Sequence, residues 1–210
     1  MNEKKIINVG IDIETLSTKP TAAIISIAAK SFDLGDEHVS ESSIVININA
    51  TRCAISGYDI DPETCKWWTD KDVEVKTGLL QKACTIHEAL TQLTIWISNL
   101  KKNESADEVI VWTQGSDFDL AILRNAYSKE FPEKNRDTTP WKYSNARCAR
   151  TYVLEGLKLL FGYSDKPYSN IPDDGQEYKS HDPLSDISRT ISNIQFVHNT
   201  LNSKVNEKKI

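Results

Sequence analysis

Three short blocks, far apart in the chain, place acids where apolar runs end. Asp12 and Glu14 lie in V-G-I-D-I-E-T-L, Asp119 lies in W-T-Q-G-S-D-F-D-L-A-I-L, and His181 and Asp186 lie in H-D-P-L-S-D. A buried strand cannot carry ionised carboxylates deep into an apolar interior. An apolar strand that ends in acids can hold them at the end of a sheet; surface charge is the plain alternative for a D-x-E pair in a chain with 30 acids. Residues two apart in a strand share a face, so Asp12 and Glu14 can grip the same ion. Four carboxylates gathered in one pocket raise one another's pKa. Divalent cations relieve that repulsion, and two metals in a carboxylate cage suit phosphodiester cleavage.

The elements between the blocks predict an α/β chain. Ile6 to Ile13 is an apolar, β-branched first strand. Thr15 to Thr21 is a polar turn containing Pro20, and Ala22 to Phe32 is a second strand. D-L-G-D follows as a hairpin turn, with Gly35 available for a positive φ, and Ser43 to Ile48 is a third strand. Three successive strands point to an antiparallel meander. Asp61-Pro62 then opens a helix in the order of cap and first-turn proline, carrying Trp67 and Trp68. Thr85 to Glu88 has the form of a capping box, and Ile86, Leu90, Leu93, Ile97 and Leu100 recur behind it at helical spacing, with Lys101 and Lys102 at the C-terminal end. Glu108 to Thr113 is a short buried strand, and Ser116 is a cap for a helix from about Asp117 to Phe131. A polar loop spans Pro132 to Thr139, and a helix spans Asn145 to Phe161. The stretch from Ser164 to Ser180, rich in Pro, Asp, Ser and Gly, is a loop of about 17 residues, longer than most structureless connections. The last helix starts with Asp182 as cap and Pro183 at its first position. Leu184, Ile187, Ile191, Ile194, Val197 and Leu201 form its core stripe.

A chain of 210 residues fits one domain with a sizeable core, expected over residues 1–203, with a frayed tail at 204–210. The net charge of −5 argues against a protein that coats duplex DNA, though not against a nucleic-acid enzyme whose site acids bind cations. Cys53, Cys65, Cys84 and Cys148 show no zinc spacing and read as reduced thiols in a cytoplasmic protein. The N-terminus makes a poor signal peptide, and the apolar run Thr21 to Ala29 is far shorter than the roughly 20 residues of a membrane span, so no membrane partner is expected.

Each candidate has a plain structural role to set against the chemical one. Asp117 suits a helix-dipole acid better than Asp119 does. Phe118, Leu120 and Leu123 read as core. Asp186 stands one step off the apolar stripe, so it can border the core and face a cleft. His181, just outside the helix, can act as a base near neutral pH.

Taken in order, the blocks resemble the DEDD exonucleases, histidine subtype. The superfamily pattern is D-x-E, an acid after Phe or a similar residue at a helix start, and H-x-x-x-x-D. A tyrosine-subtype chain would carry Tyr where this one has Asp182. The stretch I-D-I-E-T-L-S-T-K-P-T-A-A-I-I-S-I-A-A, the Trp67-Trp68 pair and the last two blocks are similar to a small phage and bacterial group. That group includes T-even phage exodeoxyribonuclease A and related bacterial 3′–5′ exoribonucleases. The similarity covers roughly Ile6 to Val197. Cys148 in N-A-R-C-A-R-T stands where that group often carries an acid.

The resemblance implies a ribonuclease H-like α/β fold, with a mixed sheet of three antiparallel N-terminal strands plus parallel strands, flanked by helices. It implies two divalent ions, Mg²⁺ or Mn²⁺. Asp12, Glu14 and Asp186 would hold one, and Asp12 with Asp119 the other. His181 would be the general base. The expected activity is 3′–5′ exonuclease action on single-stranded 3′ ends, releasing nucleoside 5′-monophosphates in a bacterial or phage-infected cell. Thr15 and Leu16 are candidates for the terminal sugar and base. Trp67 and Trp68 are candidates for a stacking face, with Trp68 taken as the substrate contact. Successive tryptophans on a helix cannot share a face, so at least one is expected in the core, and which one stays open. Arg147 and Arg150, three apart on the expected helix, are candidates for phosphate. The choice between DNA and RNA, and the oligomeric state, stay open at this point. So do two other readings of the same residues: a non-catalytic nucleic-acid-binding protein of this fold, and a phosphohydrolase of small nucleotides or dinucleotides.

Overall fold

A mixed sheet organises the chain, which the computed structural model describes over residues 4–34, 41–71, 83–133 and 138–207. Its five strands among the described residues are β1 (Ile6–Thr15), β2 (Ile24–Phe32), β3 (Ser43–Asn47), β4 (Glu108–Thr113) and β5 (Ala146–Cys148), in the order β3-β2-β1-β4-β5. The first three form the expected antiparallel meander, and β4 and β5 add in parallel on the other side of β1. The turn expected at Gly35 and the middle of the Pro132–Thr139 loop lie outside the described residues.

The two faces of β1 are covered differently. Ile7, Val9, Ile11 and Ile13 bury one face against α3 (Ile86–Asn103) and α4 (Ala121–Glu130), in a core that includes Leu90, Leu93, Ile97 and Leu123. Helix α3 starts as expected: Thr85 and Glu88 cap reciprocally, and every residue of its apolar stripe is buried. The opposite face meets α5 (Ala149–Phe161) and α6 (Pro183–Glu207), where Ala28, Trp112, Val153, Leu157, Ile187, Ile191, Ile194 and Val197 pack together. Gly156 of α5 lets the two helices cross closely, because a Cβ there would collide with Val197. Two shorter helices, α1 (Ala50–Ile55) and α2 (Pro62–Thr69), follow β3. Asp61 caps α2 by accepting from the Thr64 N–H at 2.8 Å.

Two expectations fail. Residues from Asn145 do not simply start a helix: Ala146–Cys148 form strand β5 alongside Val111–Thr113, and α5 begins at Ala149. The Asn145 side chain explains why. It donates to the Val109 carbonyl at 3.0 Å and to Glu108 at 3.1 Å, so it clasps the chain against the edge of β4 before the helix can start. Nor does Ser116 cap a helix. Residues Ser116–Leu120 make a single π turn with no side-chain cap, and α4 follows at Ala121. Among the described residues, no helix is long and apolar enough to cross a membrane.

Candidate active site

The site forms where β1 outruns its neighbour. Pairing of β1 with β4 runs from Ile6 opposite Glu108 to Gly10 opposite Trp112. Beyond Gly10 the strand keeps its pairing with β2, where small residues stand opposite the acids: Ala28 faces Asp12 and Ser26 faces Glu14. A register shift follows between Glu14 and Thr15, and such irregularities recur beside active sites. Ligands of open α/β sheets bind at the carboxyl ends of strands, and this is such an end.

Gly10 brings the third block in. It shares a face of β1 with Asp12 and Glu14. A Cβ at Gly10 would lie 2.7 Å from Ile187 Cγ1, so only glycine lets α6 sit this close. Asp186 precedes Ile187, and the helix start is fixed by Asp182, which accepts from the Ser185 N–H at 2.9 Å. Asp119 arrives on the π turn after β4 and is buried. π turns appear often at functional sites because they re-aim one side chain out of helical register.

Asp12, Glu14, Asp119, His181 and Asp186 thus line one cleft of about 560 Å³. Ligand atoms of Glu14, His181 and Asp186 lie within 4.8 Å of one another. His181 has φ 65°, in the left-handed region. Its backbone N–H donates to Asp186 Oδ2 at 2.7 Å, which holds that conformation.

The electrostatics are one-sided. Burial pushes Asp12 well above the usual carboxylate range, and Asp119, Glu14 and Asp186 push it further. Burial, then Asp186 and Asp119, push Glu14 up to about 8. Asp119 rises to about 6 through burial, against backbone hydrogen bonds at Gly115, Asp119 and Ile13 and the Arg150 charge. Burial raises Asp186, although the His181 N–H opposes it. His181 goes the other way: burial and the charge of Lys71 lower its pKa, which favours the neutral imidazole.

This donor set fits a divalent cation. Carboxylate oxygens suit hard divalent cations, and four carboxylates converge here. A bound cation would also reverse the upward pKa shifts of all four acids, which the chain's own positive charges leave in place.

The candidate substrate contacts divide. Thr15 is buried, and with Trp68 it borders a second, more apolar pocket of about 420 Å³ that adjoins the cleft at Ile13, Glu14 and Phe118. Leu16 is half-buried and packs against Trp68 and Ile25. Trp68 is largely core, its indole N–H on the Thr15 carbonyl at 2.9 Å. Trp67 is the exposed member of the pair. The shared helix face expected for Arg147 and Arg150 does not exist, because Arg147 lies in β5 and Arg150 in α5. Arg147 donates to the carbonyls of Ser144 and Ala146, whereas Arg150 lines the cleft. Phe118 packs against the core as expected but also borders both pockets.

Sequence reasoning missed Gln114, Thr151 and Arg189. Gln114 follows β4 and borders the cleft and a third pocket of about 360 Å³, which Arg189 and Tyr168 also line. Arg189 stands three residues after Asp186 on α6, a spacing that shares a helix face and could have been noticed. Gln114 and Thr151 carry no sequence signal of their own.

Comparison with known proteins gives a family match and a match in fold. The family described as Rv2179c-like, a 3′–5′ exoribonuclease Rv2179c-like domain, matches residues 7–197. Among solved structures the chain is similar to cell-death related nuclease 4 (CRN-4), with a TM-score of 0.58 at 11% identity, over 94% of this chain. The chain spans 64% of that nuclease's length, and a likeness at this identity speaks for the fold alone. No curated protein sequence matches.

Proposed function

The chain belongs to the Rv2179c-like 3′–5′ exoribonuclease family, and on that premise we propose that it is a metal-dependent 3′–5′ exonuclease of the DEDD type, histidine subtype. It removes nucleoside 5′-monophosphates from single-stranded 3′ ends. RNA is the first substrate to test, as the family description names exoribonuclease activity. The observation that carries the reading is the convergence of Asp12, Glu14, Asp119, His181 and Asp186, drawn from three distant segments, on one cleft.

In this reading Asp12, Glu14, Asp119 and Asp186 hold two divalent cations, Mg²⁺ or Mn²⁺. When bound, such cations neutralise the phosphate and activate water for in-line displacement. His181, neutral near pH 7, takes the proton of the attacking water. Asp186 fixes the His181 backbone, and so the place from which the imidazole works. Arg150 meets the phosphate of the strand, and Thr15, Leu16 and Trp68 border the terminal nucleoside. Residues 1–203 work as one catalytic domain. The four free thiols suit the reducing cytoplasm of a bacterial or phage-infected cell.

The test is purified protein with Mg²⁺ or Mn²⁺ against 5′-labelled and 3′-labelled oligonucleotides, RNA and DNA, single- and double-stranded. Stepwise shortening of 5′-labelled RNA, with release of the 3′ label as mononucleotide, is expected. Chelator should abolish it, and His181→Ala should reduce it by about 10²–10⁴-fold, the range a general base supplies. Full turnover by Asp119→Ala would overturn the reading.

A further inference from the structure

The imidazole of His181 rests on the tryptophan pair. Its ring centroid lies 4.7 Å from that of Trp67, at 84°, and 6.3 Å from that of Trp68, at 75°. Trp67 is itself held. Its ring packs edge-on against Trp68 at 5.1 Å, and the Lys71 ammonium lies 3.7 Å from its centroid. Trp68 is buried and tied through its indole N–H to the Thr15 carbonyl, one residue past Glu14. A continuous line of contacts therefore runs from the end of β1 through Trp68 and Trp67 to His181.

That line answers a mechanical problem. His181 follows a stretch, residues 171–180, without helix or strand, yet it must hold station beside Glu14 and Asp186. The hydrogen bond to Asp186 fixes its backbone and leaves the ring's own torsions to be set by packing. Trp67 also walls the apolar pocket that Thr15, Glu63 and Phe118 border, so an occupant of that pocket would press on the indole that supports His181.

We propose that Trp67 is a positioning residue for His181, and that it couples a base in the apolar pocket to the orientation of the imidazole. This rests on reading the site as a nuclease. At about 420 Å³ the pocket has room for a nucleobase, Glu63 and Thr64 give it polar groups, and a planar base is the occupant whose face an indole wall suits.

Two readouts test it. The first needs no turnover. In the NMR spectrum of His-labelled protein, with the His181 signals assigned by their loss in His181→Asn, the indole displaces the imidazole proton shifts by ring current. Trp67→Ala should remove most of that displacement, leaving the smaller share of the more distant Trp68, and Trp67→Phe should keep much of it. Shifts that stay the same in Trp67→Ala would overturn the proposal, whatever the activity.

The second is kinetic. Trp67→Ala should lower kcat by about 10- to 100-fold, as loss of a supporting shell does. KM should stay within about 3-fold, the mark of an interaction lost in the transition state rather than in binding. Trp67→Phe should recover most of kcat, and in a His181→Ala background the Trp67 substitution should cost nothing further. A 3′-terminal abasic nucleotide should slow the wild type and leave Trp67→Ala unaffected. A loss confined to KM, an additive loss in the His181→Ala background, or equal abasic penalties in both proteins would overturn it. Trp67→Leu carries the same comparison if Trp67→Ala unfolds by circular dichroism. If the wild type cleaves no oligonucleotide, the nuclease reading fails, and the NMR comparison still tests the contact of Trp67 with the His181 imidazole on which the proposal stands.

Discussion

The two ends of the parallel strands treat the same chemical group in opposite ways. At the start of β4, Glu108 accepts from Lys142 and Lys4, each at 2.8 Å, and from Asn145 at 3.1 Å. Those hydrogen bonds, Lys142 first, pull its carboxyl down to about 2. At the other end Glu14 stands at about 8, Asp119 at about 6, and Asp12 and Asp186 are raised as well. The chain does send cations there: Arg150 acts on Asp119 and Arg189 on Asp186. Burial outweighs both. One end of the sheet is neutralised from within, and the other keeps a demand for positive charge that an outside ion can meet. Internal ion pairs satisfy the acid at the first end, and the second is where we propose the catalytic site.

The comparison breaks most visibly at Asp12. Asp12→Asn should reduce turnover to background and raise thermal stability at pH 8 in chelator, because it removes a carboxyl whose ionised form burial and the neighbouring acids disfavour in the fold but not in the unfolded chain. The pH dependence has a definite sign. Glu14 ionises near 4.5 when unfolded and near 8 when folded, so the unfolded chain gives up its proton first. The metal-free protein therefore loses stability as pH rises from about 5 to 8, since stability falls wherever the unfolded state binds fewer protons. Divalent cation should flatten that slope by favouring the ionised folded state. Melting curves across this pH range, with and without Mg²⁺, measure it. A metal-free protein that grows more stable towards pH 8 would remove the contrast between the two ends.

A second test separates packing from chemistry. Gly10 and Gly156 both lie under α6, and both would collide with it if they carried a Cβ. Gly10→Ala and Gly156→Ala should each cost about 1–3 kcal/mol, the usual penalty for overpacking. Gly10 supports the approach of Asp186 to Asp12 and Glu14, while Gly156 supports the distant α5–α6 crossing. Gly10→Ala should therefore lose turnover beyond its loss of stability, and Gly156→Ala should keep the turnover of its folded fraction. Equal turnover in the two variants would mean that α6 can back away from β1 without disturbing the cleft.

The contrast also explains what was legible in the sequence. The acids of β1 were readable because they end an apolar, β-branched strand, and Asp186 because it stands one step off the stripe of α6 behind a cap and a first-turn proline. The meander, α3 and α6 followed from periodicity and capping, which are local signals. Strand β5 was not readable: three residues, A-R-C, carry no alternation, and what draws them to β4 is Asn145 reaching Glu108 and Val109, a contact more than thirty positions away. The π turn at Asp119 was hidden for a similar reason, since Ser116 carries a cap's residue type without making a cap's hydrogen bond. Trp67 and Trp68 could be read as a pair divided between core and surface. That both meet His181, Trp67 the more closely, depends on the docking of α2 through Thr15, a tertiary contact.

The smallest expected effect lies at Glu108, and it sharpens the comparison because it runs with the opposite pH sign. Its folded pKa is depressed, so its contribution is present above the unfolded value near 4.5 and disappears as pH falls through about 2. Glu108→Gln keeps the side chain's shape but gives up both ion pairs, which are partly exposed and so contribute modestly. It should lower the melting temperature slightly at pH 7, and the gap to wild type should close as the solution is acidified. Added salt should also narrow it, since exposed pairs are screened. Turnover at pH 7 should be untouched, because β4 carries Glu108 at the end away from the cleft. A fall in turnover comparable to that of the cleft variants would show that the two ends of the sheet are not electrostatically independent.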